Sequence, residues 1–250
     1  KRLFEPISGR FVRSYPNVSR VCMAAPDSPS PSVDPRLRIL AAAGNEFAAG
    51  GYEAATVRDI CAAAAVNVAA VNYYFGDKRW LYLETVRHAH EDLVRQVPRP
   101  EWAPGTPPVV KLRDFLDTML ERMLGLGHAS WQTRLMLREV LHPTEACREL
   151  VEDYIRPHFT LLVAILDELS DHRLREPELR RIAMGIVGQC FIYRAAGDVV
   201  GMLVPAGERE SLHAPAVLAA HITQSTLAVL AGRLSQEPHR PAGSGTGERA

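Results

Sequence analysis

The sequence predicts an all-α fold, and three observations support this prediction. Past Asp34, apolar residues recur at the three- and four-residue spacing of amphipathic helices. No alternating run of β-branched residues is long enough to indicate a sheet. Breaks that contain glycine or proline divide the chain into segments of helical length. The 250 residues are therefore expected to form an entirely helical protein.

The composition is that of an ordinary soluble globular protein, with 47% hydrophobic and 23% charged residues. The formal net charge is zero, so binding to nucleic acid would have to come from a local basic patch. No uninterrupted apolar run reaches the roughly 18–20 residues of a membrane helix. The cysteines are widely separated and form no C-x-x-C pair, which favours reduced thiols over disulfides or a zinc site. They are Cys22, Cys61, Cys147 and Cys190. We therefore expect a cytoplasmic protein with no membrane partner.

The first two predicted helices have clear starts. Asp34 is expected to cap the first helix, and Pro35 occupies its first position, where a missing N–H has no cost. The Gly-Gly pair at 50–51 is expected to end this helix. Thr56 is expected to cap the second helix, with Asp59 three residues later as its capping-box partner.

The third and fourth helices follow a tight turn. Asn67 is expected to cap the third helix, which a Gly-Asp pair at 76–77 ends before a long fourth helix over 78–97. Lys78 and Arg79 stand in the first turn of that helix, where cations oppose the helix dipole. A docked phosphate would offset this penalty, because a helix N-terminus presents free N–H groups to anions.

A proline-rich linker over 98–108 separates these helices from the rest of the chain. Further helices are predicted at 109–126, 131–141, 144–170, 178–200 and 211–235. Pro157 is expected to bend or break the third of these, because it provides no N–H. We predict a head of residues 34–80 and a body of residues 81–236. The segments 1–33 and 237–250 are predicted to be disordered from their composition.

The head has the pattern of a helix-turn-helix, with two short helices, a tight turn and small residues where the helices cross. Its third helix would enter the major groove of DNA, where Ala69 and Ala70 keep the outer face slim. Asn72 can pair with the edge of an adenine. The predicted DNA contacts are Thr56, Arg58, Asn67, Ala69, Ala70, Asn72, Tyr73, Tyr74, Lys78 and Arg79.

Two alternatives stay open for this region. The head could be a three-helix packing unit that never contacts DNA, because short motifs also occur by chance. Tyr73 and Tyr74 are expected to reach a phosphate or a thymine methyl group. Tyr73 could instead be an aromatic residue at the edge of the core, with only its hydroxyl facing outward.

The stretch "TVRDICAAAAVNVAAVNYYFGDKRWL" resembles the signature of the TetR family of bacterial one-component transcription regulators. The matching positions are Thr56, Ile60, Ala64, Val66, Tyr73, Phe75, Lys78 and Leu81. Ala65 stands where the family usually has glycine, which strains the turn if it needs a positive φ. Asn67 replaces the usual serine cap and is equivalent to it. The segments "LREVLHPTEACRELVEDYIRPHF" and "IVGQCFIYRAAGDVV" resemble the CecR-like (CerR-type) branch.

The resemblance implies a three-helix DNA-binding head followed by a helical ligand-binding and dimerisation domain, in a homodimer. It implies a ligand-responsive regulator, a repressor that a small-molecule effector releases from a pseudo-palindromic operator in double-stranded DNA. Gly185 and Gly188 fit close approach of helices at a dimer interface. The alternative is a helical small-molecule-binding protein without DNA binding. No G-x-S-x-G or H-E-x-x-H motif is present, so an enzyme is not expected.

A ligand pocket is predicted where methionine and aromatic residues occur on neighbouring helices of the body, because methionine-rich walls adapt to apolar ligands. The predicted members are Met119, Met123, Trp131, Met136, Arg138, Phe159 and Phe191. Each apolar member could equally be part of the core. Arg138, with Glu139 and His142 nearby, could orient a ligand or form an internal ion pair.

The histidines do not indicate a metal site. His88 and His90 are two residues apart and point to different sides of a helix. His88 with Glu91 and Asp92 lacks a third rigid ligand, so a solvated helix face is the better interpretation. We expect neither a metal nor a cofactor.

Overall fold

The computed structural model describes residues 34–125, 130–208 and 214–236. The segments 1–33 and 237–250, predicted to be disordered, lie outside these ranges. Within the described ranges the regular structure is helical and contains no strand. The all-α prediction is therefore confirmed.

The α-helices of the described ranges are numbered α1 to α11 in chain order. Their bounds are α1 Pro35–Ala54, α2 Val57–Ala64, α3 Val68–Phe75, α4 Lys78–Gln96, α5 Pro108–Leu120, α6 Trp131–Leu141, α7 Ala146–Leu150, α8 Arg156–Leu169, α9 Glu176–Ala195, α10 Gly197–Leu203 and α11 Pro215–Gln236. Two five-residue π-helical turns occur at Glu121–Gly125, directly after α5, and at Val151–Ile155, between α7 and α8. A 3-10 turn at Ala206–Glu208 follows α10.

Helix α1 begins as predicted and ends one turn later than predicted. The Asp34 carboxylate accepts the Arg36 N–H at 2.9 Å, and Pro35 occupies the first helical position. Gly51 leaves the helical conformation with φ 79° and ψ 178°, a region that glycine adopts without steric cost. The chain then resumes helical geometry as far as Ala54. The glycine pair therefore kinks α1 instead of ending it.

The core of the head extends into the body. Buried members from α1 to α4 are Ile39, Leu40, Phe47, Ile60, Val71, Phe75, Leu81 and Tyr82. The same cluster contains Leu135 of α6 and Ala146 of α7, and α6 packs against both α1 and α4. The predicted boundary after residue 80 falls inside α4 and crosses this shared core. The division into head and body stays a prediction.

A second core lies among α5, α8, α9 and α11. Its buried members include Leu112, Phe115, Leu116, Leu162, Ile165, Leu166, Ala183, Ile186, Leu218 and Ile222. In the described part of the chain, α11 is the one helix long and apolar enough to cross a membrane by length and composition alone, although polar residues interrupt it. A third of that stretch is buried, and α11 packs against α5 and α9 as a core helix does.

Three predicted helices are divided in the structure. The segment 144–170 forms α7, a π turn and α8, with Pro157 in the first turn of α8. The backbone stays helical through this segment, and a π turn before Pro157 replaces the α-helical hydrogen bonds, so the expected bend or break stays a prediction. The segment 178–200 is divided at Ala196, where α9 ends and α10 begins. The segment 109–126 ends in the first π turn.

Candidate DNA-binding face and ligand cavity

The turn between α2 and α3 requires a left-handed residue, and Ala65 provides it with φ 51° and ψ 49°. The Ala65 N–H donates to the Ala62 carbonyl at 3.2 Å, and the Val66 N–H donates to the Cys61 carbonyl at 3.0 Å. This pair of bonds is a Schellman ending, for which glycine is the usual residue. Ala65 is therefore strained at the position where the TetR pattern has glycine.

Thr56 and Asn67 cap α2 and α3 as predicted, but the Asp59 carboxylate accepts the Thr56 hydroxyl and makes no capping-box bond to the Thr56 N–H. The Thr56 hydroxyl accepts the Asp59 N–H at 3.1 Å and donates to the Asp59 carboxylate at 2.6 Å. The Asn67 side chain accepts the Ala70 N–H at 2.9 Å. Both caps are exposed, and Arg58 is exposed on α2. Among the described residues, no carboxylate lies within ion-pair distance of Arg58. DNA contacts by these residues stay predictions.

Helix α3 has an inner and an outer face. Val71 is fully buried and Phe75 nearly so, whereas Asn72 is exposed and Tyr73 is 83% exposed. The alternative in which Tyr73 lies at the edge of the core therefore does not hold. Ala69 is exposed, and the rings of Tyr73 and Tyr74 are in edge contact with centroids 5.0 Å apart.

Ala70 differs from the prediction. It is half-buried and packs on the core of the head, because it lies one residue before the buried Val71 and turns partly inward with it. The outer face of α3 therefore consists of Ala69, Asn72 and Tyr73, with Tyr74 at its edge. We call this set the α3 outer face.

The cations at the start of α4 have partners within the chain. Lys78 donates to the Glu53 carbonyl at 3.3 Å and lies 4.6 Å from the centre of the Tyr52 ring. Arg79 forms an ion pair with Glu145, with 2.8 Å between Nη2 and Oε2. The Asp77 carboxylate caps the helix.

These contacts change how the two cations are interpreted. The unfavourable placement of Lys78 and Arg79 against the helix dipole is offset inside the protein, so it does not by itself require a phosphate. The Arg79–Glu145 pair is half-exposed on both sides and therefore contributes little stability. A phosphate could compete with Glu145 for Arg79 at low cost.

A cavity of about 330 Å³ lies between α4, α5, α6, α8 and α9. Four predicted members line it, namely Met119, Met123, Met136 and Phe159. Other apolar lining residues are Phe115, Leu150, Ile155, Leu162, Met184 and Val187. We call this space the methionine-lined cavity.

The three other predicted members lie elsewhere. Trp131 packs against α1, so closely that a Cβ added at Gly44 would lie 2.2 Å from its ring. Arg138 donates to the Gly50 carbonyl at 3.1 Å and faces a different groove. Phe191 is half-buried outside the lining of the cavity. The sequence did not distinguish these three residues from those of the cavity, because helical periodicity does not say which neighbour each side of a helix contacts.

Polar residues that were not predicted from the sequence form one end of the cavity. Arg122 Nε donates to the Val97 carbonyl at 2.7 Å, and Arg122 Nη1 is 3.0 Å from His158 Nε2. His158 Nδ1 is 2.7 Å from the Tyr154 carbonyl. A neutral imidazole that donates through Nδ1 and accepts through Nε2 satisfies both contacts.

Burial and positive neighbours keep the two histidines of this end neutral. Burial, His158 and Arg122 lower the pKa of His90 to about 4. Burial also lowers the pKa of His158, partly opposed by its bond to the Tyr154 carbonyl. Arg122 was recognisable in the sequence, because it lies on the same helical face as Phe115 and Met119 at spacings of seven and three residues.

A buried polar cluster joins α4 to α6 outside the cavity. The fully buried Glu139 accepts the Tyr82 hydroxyl and the Thr144 hydroxyl, the latter at 3.0 Å. Burial and the Glu139 carboxylate raise the pKa of Tyr82. Glu139 is therefore a hydrogen-bonded residue of the core and makes no ion pair with Arg138 among the described residues.

The side chains of Cys61, Cys190 and His88 occupy structural positions in the described part of the chain. Burial raises the pKa of Cys61 and raises that of Cys190 to about 12, so both thiols stay protonated at neutral pH. His88 pairs with Asp92 at 3.4 Å and stacks on Trp131. Within the described ranges, no group of three or more His, Cys, Asp or Glu side chains is placed to hold a metal ion.

A three-helix head with an outward recognition helix, joined to a helical body with a cavity, is the architecture of a helix-turn-helix regulator. The family model "Bacterial regulatory proteins, tetR family" matches residues 39–85. The model "HTH-type transcriptional dual regulator CecR, C-terminal domain" matches residues 108–233, which is more than half of the chain. The protein belongs to the TetR family and carries the CecR type of C-terminal domain.

A relative with a known name agrees with this assignment. The HTH-type transcriptional dual regulator CecR of Shigella flexneri is 31% identical over 140 residues, which cover 51% of this chain and 62% of that protein. The chain thus matches less than two thirds of the length of this relative.

Solved structures share the fold. AibR in complex with isovaleryl coenzyme A and operator DNA has a TM-score of 0.54 and 18% identity, over 68% of this chain and 97% of AibR. A transcriptional regulator from Rhodococcus sp. Rha1 has a TM-score of 0.53 and 20% identity, over 81% and 99% of the two chains. HlyIIR, a Hemolysin II transcriptional regulator, has a TM-score of 0.51 and 20% identity, over 76% and 96%.

Proposed function

We propose that this protein is a ligand-responsive DNA-binding transcriptional regulator, a cytoplasmic repressor that a small molecule releases from a pseudo-palindromic operator. The observation that carries the proposal is the α3 outer face. Its small and planar side chains can approach base edges in a major groove, and Asn72 has the donor and acceptor that match adenine. The relatives support the same role, since AibR binds operator DNA and CecR is a transcriptional regulator.

A dimer would place two such faces on successive turns of DNA. Helices α9 and α11 line one surface groove and expose apolar residues, including Ile192, Val217 and Val229. A Cβ added at Gly185 or Gly188 meets nothing within 4 Å in the single chain. We infer that a second copy covers this surface, because exposed apolar area of this kind favours association. A two-fold dimer then matches the symmetry of the operator.

Helix α4 provides the connection between the cavity and the DNA. Its first residue, Lys78, follows α3 after a two-residue turn, while His90 lines the methionine-lined cavity. The Val97 carbonyl at its end accepts a hydrogen bond from Arg122 of the cavity. A ligand that moves Arg122 would therefore move the end of α4. It can change DNA affinity only by favouring one position of α4 over another.

The proposal is tested by the binding of operator and scrambled duplexes over a range of salt concentrations. Asn72→Ala should relax sequence preference at one base position of each half-site, at a cost of about 1–3 kcal/mol. Lys78→Ala should lower the affinity for the operator and for the scrambled duplex by the same factor. It should reduce the slope of log K against log salt by about 0.9 for each phosphate that the lysine no longer neutralises, and a dimer doubles the effect.

Arg113→Ala, a substitution of an exposed arginine on α5 of the body, is the matched control and should leave the slope unchanged. Because Lys78 also contacts Glu53 and Tyr52, the thermal stability of Lys78→Ala is measured in parallel. Equal binding of operator and scrambled duplex by the unmodified protein would contradict the proposal. No measurable binding of either duplex would favour a small-molecule-binding protein without DNA binding, which the internal partners of Lys78 and Arg79 also favour.

A further inference from the structure

The methionine-lined cavity has an apolar body and one cationic end. Four methionines and the rings of Phe115 and Phe159 form most of its wall. Arg122 and Arg99 line the same cavity, together with His90 and His158. The two histidines are neutral at pH 7, so the charge at this end comes from the two arginines.

Arg122 is not neutralised by the protein. Its contacts are the Val97 carbonyl and His158, which are uncharged, and its Nη2 is buried without a hydrogen-bond partner. Across the described ranges, no carboxylate lies within 4.0 Å of Arg122 or Arg99. Glu91, Glu101 and Asp153 line an adjoining outer groove, which Arg99 and Arg122 also line, but none of them forms an ion pair with either arginine. Arg122 is half-buried, and its buried Nη2 has neither an anion nor a hydrogen-bond partner. Leaving such a donor unpaired is costly, so it indicates a place where an anion binds.

A second unpartnered nitrogen lines the same cavity as Arg122. His90 Nδ1 is also buried without a partner. The ring of His90 lies against that of Tyr154, with 3.7 Å between the centroids. The imidazole is thus held in place by packing, and one nitrogen is left for a hydrogen bond. Two unpartnered nitrogens from α4 and from the turn after α5 therefore belong to one cavity.

Both π-helical turns contribute to this cavity. Arg122 and Met123 belong to the first turn, and Tyr154 and Ile155 belong to the second. A π turn is rare and frequently occurs at functional sites. Two of them at one cavity are unexpected if the cavity is only a packing defect.

We propose that the methionine-lined cavity binds an organic anion whose charged group pairs with Arg122 and whose apolar body lies among the methionines. This proposal rests on the proposed function only in taking the cavity as the effector site. The cavity volume of about 330 Å³ is near the lower limit of ligand pockets, so the anion is compact. A planar guanidinium binds a carboxylate through two parallel hydrogen bonds, which makes a monocarboxylate the simplest such ligand.

The test measures binding of three probes by isothermal titration calorimetry with the full chain and without DNA. The probes are decanoate, decan-1-ol and decylamine, which share an apolar chain and differ in the charge of the head group. Decanoate should bind about tenfold to a hundredfold more tightly than decan-1-ol, as expected for a charge-assisted hydrogen bond. Decylamine should bind most weakly, because Arg122 and Arg99 repel it.

Two variants locate the charge. Arg122→Met should remove the preference for decanoate while binding of decan-1-ol persists, and Arg122→Lys should keep part of the preference. Arg113→Met, an exposed arginine on the preceding helix, should bind all probes as the unmodified protein does. If Arg122→Met fails to fold, Arg122→Lys decides the assignment, because an unchanged preference for decanoate in that variant would contradict pairing with the Arg122 guanidinium.

Equal binding of decanoate and decan-1-ol by the unmodified protein would overturn the proposal, as would a preference for decanoate that survives in Arg122→Met. The outcome is separate from that of the proposed function. A protein that binds decanoate through Arg122 but binds operator and scrambled duplexes equally would support the anion site and contradict the regulator. A protein that binds the operator more tightly than the scrambled duplex but shows no preference for decanoate would support the regulator and contradict the anion site.

Discussion

Ala65 is the clearest strained residue of the head, because it takes a left-handed conformation that favours glycine. Its side chain is exposed, so replacement by glycine removes no packing. Ala65→Gly should relieve the steric cost of the left-handed region, partly offset by the greater freedom of glycine in the unfolded chain. We expect the free energy of unfolding in urea to rise by roughly 0.5–1 kcal/mol.

Ala62→Gly is the matched control for this substitution. Ala62 is exposed in the last turns of the same helix, with ordinary helical geometry. Its replacement should lower the free energy of unfolding by about 0.5–1 kcal/mol, the usual cost of glycine in a helix. If both variants lose stability equally, the strain inferred at Ala65 is absent in solution.

At the scale of elements, the contact between α1 and α6 depends on a glycine. Gly44 is buried against the Trp131 ring, with no room for a methyl group. Gly44→Ala should force α1 and α6 apart and lower the free energy of unfolding by about 1–3 kcal/mol, the usual cost of overpacking. The measurement is chemical denaturation of the single variant and of a double variant with Trp131→Leu.

The double variant separates steric conflict from other effects. In the Trp131→Leu background, Gly44→Ala should cost much less, because the smaller side chain leaves room for the methyl group. This coupling is expected of residues in direct contact. Additive losses would mean that the two helices already adjust to a side chain at residue 44.

At the scale of the whole molecule, the uncovered surface of α9 and α11 predicts the oligomeric state. Gly188→Leu adds a side chain that meets nothing in the single chain but would enter the proposed interface. The protein should therefore stay folded, become monomeric by light scattering and lose tight operator binding. Ala164→Leu, on the exposed side of α8, should remain dimeric. A dimeric Gly188→Leu protein would place the interface elsewhere.

Features of the head that depend on neighbours in sequence were predictable. Asp34, Thr56 and Asn67 each accept an N–H two or three residues later, as expected of capping residues. Helical periodicity also separated the buried Val71 from the exposed Asn72. The cavity was predicted only in part, because periodicity identifies an apolar face without saying whether it borders a cavity or another helix. Trp131 and Phe191 lie on such faces outside the cavity.

The sequence by itself determined the helical fold, the starts of the first helices and, except for Ala70, the outer face of α3, because these depend on residues within one or two helical turns. Only the tertiary structure decided the partners of Lys78, Arg79 and Arg122. Lys78 contacts a carbonyl 25 residues away, Arg79 a carboxylate 66 residues away, and Arg122 a histidine 36 residues away. Such contacts depend on how whole helices pack against one another, and the spacing of residues along one helix carries no information about that packing.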